Sequence, residues 1–214
     1  MGRILLIRHG ESEWNALGRW QGHADPPLTA LGRRQAANAA ELVGVVERIC
    51  SSDLQRAQQT AEIIAARNGV GPVVVDGGWR ERDAGEWSGL TRDEIHRAWP
   101  GYLHDDPTRR TLRPAAGTAE RRPPGWESDE HLLERSLAAL GRVASHVGDG
   151  TALVVTHGGV IYNLEHHLGA EDGRLANLGG RVLNVDEEGR TTLGHRVTLV
   201  DHEPVTTPVS PEQL

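Results

Sequence analysis

Four consecutive apolar residues, Ile4-Leu5-Leu6-Ile7, run directly into Arg8-His9-Gly10. A short, fully apolar run of this kind reads as a buried strand. It ends abruptly in a cation, an imidazole and a glycine. A guanidinium suits a phosphoryl group, because its planar fork donates two hydrogen bonds at fixed geometry. An imidazole is largely uncharged near neutral pH and is then a nucleophile. Glycine lets backbone approach a ligand closely. A phosphoryl-receiving histidine at a strand end is therefore the hypothesis to test. Arg-His pairs also occur by chance, so the rest of the chain must supply partners.

Downstream, strands and helices alternate. Strand 3–8 precedes a helix over 30–43 capped by Thr29. A strand at 48–52 leads into a helix over 54–67, capped by Ser52 or Asp53 and stopped by Gly69. Val73-Val74-Val75-Asp76 reads as a third strand. Thr91-Arg92-Asp93-Glu94 is a capping box opening a helix that ends before Pro100. A long helix spans 129–147. Strand 151–156 then ends at His157-Gly158-Gly159, and a helix continues to about 168. Segments 181–186 and 191–200 face each other across Glu188-Gly189 as a hairpin. This alternation predicts an α/β chain with a largely parallel sheet and antiparallel character at the end. One domain over 1–202 is expected, with an irregular, lid-like segment at 100–127 and a flexible tail at 203–214.

Composition narrows the chemistry. The 214 residues suffice for one sizeable core, and a net charge of −7 disfavours attraction to nucleic acid or a membrane surface. All 23 basic residues are arginine, which removes lysine Schiff bases and the lysine of a phosphate-binding P-loop. Without phenylalanine, the core must rest on aliphatic residues and the six tryptophans. The single cysteine, Cys50, excludes an internal disulfide and reads as a small core hydrophobe. No stretch approaches a membrane span and no secretory leader is evident, so a cytoplasmic protein is expected.

In open α/β sheets, ligands bind beyond the carboxyl ends of the strands. Those ends here carry Arg8-His9, then Ser51-Ser52-Asp53 with Arg56, then Arg80-Glu81-Arg82, then Thr156-His157-Gly158-Gly159. Arg8, Arg56, His9, His157 and Glu81 thus offer one rim two guanidiniums, two imidazoles and a carboxyl group. That set can bind a dianion, attack it and supply a proton.

These residues resemble the histidine phosphatase superfamily in its phosphoglycerate mutase-like branch. The resemblance runs through Arg8-His9-Gly10-Glu11, Asn15, Gln21-Gly22, Asp25, Pro27-Leu28-Thr29 and Leu31-Gly32. It continues through Ser51-Ser52-Asp53-Leu54-Gln55-Arg56-Ala57, Thr60-Ala61, Arg80-Glu81, Gly85-Glu86-Trp87 and Gly89. It closes at Thr156-His157-Gly158-Gly159, and so spans residues 3 to about 168. The resemblance implies a three-layer α/β/α sandwich with a mostly parallel sheet. It implies His9 as the nucleophile that becomes phosphohistidine. Arg8, Arg56 and His157 would grip the phosphoryl oxygens, aided by Asn15, the Gln21-Gly22 loop and Gly158. Glu81 would protonate the leaving group and then deprotonate water, provided Arg80 and Arg82 are held off or the acid is buried.

Several residues carry two readings. Arg56 can join the site or pair with Asp53; Glu86 is a second candidate acid. His23 can touch substrate or lie on the surface. Trp14, Trp20 and Trp87 can wall the mouth or pack the core. Arg109, Arg110, Arg113, Arg121 and Arg122 can grasp a second anionic group or form a solvated basic loop. Where related chains carry Gly-Gly-Glu-Ser, this one reads Gly125-Trp126-Glu127-Ser128, so the indole is expected to narrow the pocket. The remaining histidines lack metal-ligand spacing, and neither metal nor cofactor is expected.

A metal-independent phosphomonoesterase acting on a small phosphorylated metabolite is the expected function. A phosphoglycerate-type mutase is the alternative; mutases of the resembled family have a longer insertion between the acid and the second histidine. A non-catalytic phosphate- or phosphoprotein-binding module is the third reading. A homodimer through the terminal hairpin is compatible with the pattern.

Overall fold

The computed structural model describes residues 2–103, 121–170 and 173–200. Six strands form one sheet in the order β3-β2-β4-β1-β5-β6. They are β1 (Gly2–Arg8), β2 (Arg48–Ser51), β3 (Val74–Val75), β4 (Thr151–Thr156), β5 (Gly179–Val185) and β6 (Thr191–Thr198). From β3 to β1 all pairings are parallel, while β5 and β6 add antiparallel. The helices are α1 (Glu13–Ala16), α2 (Ala30–Leu42), α3 (Gln55–Asn68), α4 (Arg92–Ala98), α5 (Asp129–Val147) and α6 (Gly158–His167).

The period-2 geometry of β1 explains the layering. Ile4 and Leu6 join the core formed with α5 and α6, whereas Leu5 and Ile7 join the core formed with α2 and α3. The run is continuously apolar because both faces are covered. Full burial of each such side chain contributes roughly 1.5–3 kcal/mol. Small residues line the second core: Ala39 and Ala40 on α2, and Ala57, Ala61 and Ala65 on α3. The result is an α/β/α sandwich with a mostly parallel sheet, as expected. Cys50 is buried in the core. Strand β6 forms one edge of the sheet, the position a dimer through the hairpin would require.

Local signals hold at most element ends. Thr29 Oγ1 accepts from the Gly32 amide, and Gly69 ends α3 in the left-handed conformation. Thr91 and Glu94 form the expected capping box. Two details differ. The N-cap of α3 is Leu54, because Ser52 Oγ instead accepts from the Leu54 amide and Asp53 turns to Arg80. The third strand shrinks to two exposed residues, since it pairs only with β2 at the sheet edge.

A third apolar cluster of Trp20, Ala84, Trp87, Ile95 and Leu103 lies apart from the sheet. Trp126 packs on it with its ring 5.8 Å from Trp20 and 5.4 Å from Trp87. Arg109, Arg110, Arg113, the middle of the expected lid and the tail at 203–214 lie outside the described residues.

Candidate active site

The site begins where β1 and β4 end side by side. Arg8 and Thr156 are register partners, and the His9 amide donates to the Thr156 carbonyl at 3.0 Å. The next residue of each strand is therefore a histidine, and the rings of His9 and His157 touch edge to face. The adjoining pocket is lined by Arg8, His9, Asn15, Gln21, Gly22, Arg56 and Glu81, together with Trp14, Trp20, Arg82 and neighbouring residues.

Both deep arginines are anchored by backbone carbonyls. Arg8 Nη1 donates to Leu175 O at 3.1 Å. Arg56 donates to Ala24 O at 2.7 Å and Gly22 O at 3.0 Å, and Asp53 pairs with Arg80 instead. Burial pushes each guanidinium pKa down to about 10. Arg8 Nε, Arg56 Nε and both ring nitrogens of His157 are buried with no hydrogen-bond partner among the described residues. Unsatisfied buried donors beside a pocket cost stability unless a ligand accepts from them. The two arginine Nε–H groups and the single N–H of a neutral His157 are donors that fit an oxyanion.

His9 Nδ1 lies 2.6 Å from the Gly10 carbonyl, which can only accept. The proton therefore sits on Nδ1, and Nε2 keeps the lone pair. Burial, reinforced by the charges of Arg56 and Arg8, holds the His9 pKa well below the usual value. His157 is lowered for the same reasons, burial first and Arg56 next. Both rings are neutral near pH 7.

Glu81 is held by backbone amides. Oε1 accepts from the Arg82 amide at 2.7 Å and Oε2 from the Gly159 amide at 3.3 Å, at the N-terminus of α6. A Cβ on Gly159 would overlap Glu81 Oε1, so only glycine allows this approach. The neighbouring arginines are drawn away. Arg80 grips Asp53, while Arg82 bonds Asp129 at 2.6 Å and the Glu127 carbonyl at 2.8 Å. Glu86 is exposed and does not line the pocket.

Asn15 and Gln21 line the pocket, Gln21 Oε1 accepting from Ser12 Oγ at 2.8 Å. Gly158 is buried at the first position of α6, beside His157. His23 is not part of the pocket wall; its Nε2 donates to the Glu81 carbonyl at 2.8 Å. Trp14 and Trp20 do wall the pocket, but Trp87 is core. Trp126 does not narrow the pocket, because its ring joins the aromatic cluster and lies under Arg82 and Arg122. Gly10 serves packing rather than ligand access: a Cβ there would stand 2.6 Å from the Gly32 carbonyl.

Sequence reasoning missed two supports. Arg135 donates to the carbonyls of Gly78, Arg80 and Glu81 and pairs with buried Glu127, bracing the loop that carries the acid. Asn177 donates to the His9 carbonyl from a loop 168 residues away in sequence. No local signal in the sequence marked either. Among the described residues no three His, Cys, Asp or Glu side chains gather as a metal-ligand set. No described helix is long and apolar enough to cross a membrane.

A sheet of this order, with paired histidines at the ends of its two central parallel strands, defines a phosphoglycerate mutase-like α/β protein. The family model of the histidine phosphatase superfamily (branch 1) matches residues 4–195, and the chain belongs to that superfamily. It is 38% identical over 164 residues to phosphoglycerate mutase-like protein 4 of Arabidopsis thaliana, covering 75% of this chain and 68% of that one. It is 32% identical over 190 residues to the metal-independent phosphoserine phosphatase of the same plant, covering 86% and 77%. Among solved structures, the mycobacterial glucosyl-3-phosphoglycerate phosphatase complexed with VO3 superposes with a TM-score of 0.75 at 30% identity, covering 91% of this chain and 98% of that one. Superfamily and relatives together indicate an enzyme of the phosphatase or mutase type.

Proposed function

We propose that the protein hydrolyses a phosphomonoester of a small metabolite, without a metal, through a phosphohistidine on His9. The observation that carries this reading is the hydrogen bond from His9 Nδ1 to the Gly10 carbonyl, which leaves the lone pair on Nε2 beside two buried guanidiniums. Nε2 attacks phosphorus as the bond to the leaving oxygen breaks, and Glu81 gives that oxygen its proton. Glu81 then takes a proton from water, whose oxygen attacks phosphorus. The P–N bond breaks, releasing phosphate and restoring the imidazole. Arg8, Arg56, Asn15 and an N–H of His157 hold the equatorial oxygens, which is where this transfer gathers charge. Gln21 and Gly22 shape the wall around the phosphoryl group.

Transfer to water is favoured over transfer to a second hydroxyl by the compact interval between Glu81 and His157. The test is phosphate release from p-nitrophenyl phosphate and 3-phosphoglycerate, with and without chelator, in wild type and His9→Ala. Chelator-resistant release that the substitution abolishes supports the reading. Isomerisation of phosphoglycerate with little free phosphate would establish the mutase. Phosphate binding without turnover would leave a binding module.

A further inference from the structure

The turn at 175–178 closes over the Arg8-His9 dipeptide. Arg8 Nη1 donates to the Leu175 carbonyl, the Leu178 amide donates to Arg8 O at 3.1 Å, and Asn177 Nδ2 donates to His9 O at 2.9 Å. Leu178 adopts φ 55, a conformation that non-glycine residues rarely hold. Such strain persists only where the surroundings over-determine it, and it clusters at functional sites. Leu178 is fully buried, and its carbonyl accepts from the Leu199 amide, so the conformation is locked from both sides.

The consequence reaches Asn15. The His9 carbonyl can only accept, so the Asn177 amide has one orientation, NH₂ inward. The same NH₂ approaches Asn15 Oδ1 at 3.4 Å, and the Ser12 amide donates to that oxygen at 3.2 Å. Two donors thus converge on Asn15 Oδ1. The amino group of Asn15 is what remains for the pocket it lines.

We infer that Asn177 is a positioning residue of the phosphoryl site: anchored on the His9 carbonyl, it orients the Asn15 amide so that an N–H, not a carbonyl, meets a phosphoryl oxygen. A reversed Asn15 would turn a lone pair towards the anion, converting attraction into repulsion. This inference rests on the phosphoryl-site reading above and adds a residue that never touches the phosphate.

The probe is inorganic phosphate, titrated calorimetrically into wild type, Asn177→Leu, Asn15→Ala and the double variant, alongside kcat and KM on p-nitrophenyl phosphate. Leucine is close in shape, offers no NH₂ and adds no charge beside the anion. Asn177→Leu is expected to weaken phosphate binding by roughly tenfold or more, the scale of one hydrogen bond to a charged acceptor. In the Asn15→Ala background the same change should cost less than about twofold, because the residue it acts through is gone. If Asn177→Leu does not fold, Asn177→Ala carries the comparison. Losses that multiply in the double variant overturn the inference. So does a fall in melting temperature with phosphate affinity and kcat/KM unchanged. A wild type that binds phosphate without turnover refutes the hydrolytic reading alone, and the affinity comparison still decides this one. A wild type that binds no phosphate overturns both.

Discussion

The rings of His9 and His157 meet edge to face, with centroids 5.2 Å apart and planes at 60°. They sit one residue beyond Arg8 and Thr156, the last register pair of β1 and β4. Two parallel strands ending level with each other thus bring together side chains 148 positions apart in the chain. Burial and the Arg56 guanidinium keep both rings neutral. Neutrality suits the proposed roles of His9 as nucleophile and His157 as donor to a phosphoryl dianion.

That neutrality makes stability depend on pH. In the unfolded chain both histidines bind protons as pH falls below about 6.5, while the folded pair, shifted well below, does not. The unfolded state then holds more protons, so stability decreases with acidification, by about 1.4 kcal/mol per pH unit for each fully displaced histidine. Urea unfolding of wild type and His157→Gln from near-neutral to mildly acidic pH measures it. The variant should show a shallower slope; an equal slope would remove His157 as a source of the pH dependence.

Gly159→Ala places a Cβ against Glu81 Oε1 and should displace the acid. A general acid supplies roughly 10²–10⁴ in rate, and partial displacement should forfeit about 10–100-fold of kcat/KM, which reports the first phosphoryl transfer alone, on an alkyl phosphate. p-Nitrophenyl phosphate, whose leaving group needs little protonation, should lose far less. Equal losses on both esters would remove Glu81 from the proton-transfer role.

Gly10→Ala tests packing rather than chemistry. Its Cβ would press on the Gly32 carbonyl at 2.6 Å, backbone against backbone, where neither side yields easily. The expected cost is roughly 1–3 kcal/mol, and the melting temperature should fall by about 2–4 °C per kcal/mol. Thermal unfolding measures the loss.

Arg135→Leu leaves the buried Glu127 carboxylate, among the described residues, with His131 and the Asp83 amide, and strips a donor from three carbonyls around Glu81. Breaking one side of a buried pair costs about 3–5 kcal/mol, whereas replacing both sides is milder. Denaturant unfolding should therefore show Arg135→Leu/Glu127→Leu recovering more than half of the loss. A double variant as unstable as the single one would assign Arg135 no pairing role.

Short-range patterns in the chain carried much of this structure. The apolar run at Ile4–Ile7, the capping residues Thr29 and Thr91, and the left-handed Gly69 are each set by a few neighbouring residues. Because ligand sites gather at strand carboxyl ends, Arg8, His9, Arg56, Glu81 and His157 could be nominated together. The cap of α3 went elsewhere because Arg80, from another segment, claimed Asp53.

By itself, then, the sequence determined most of the strands and longer helices and which side chains stand at their ends, since periodicity and capping act over a turn or a strand. It did not determine the short α1 or the full extent of β3. Only the tertiary structure decided how those ends are used. Gly10 yields to α2 instead of a ligand, Trp126 fills an aromatic cluster instead of the pocket, and Arg135 and Asn177 brace Glu81 and His9 from afar. The reason is physical: these contacts arise where β1 lies between β4 and β5, and where α5 packs against the loop bearing Glu81. No local pattern encodes which distant carbonyl a buried donor will find.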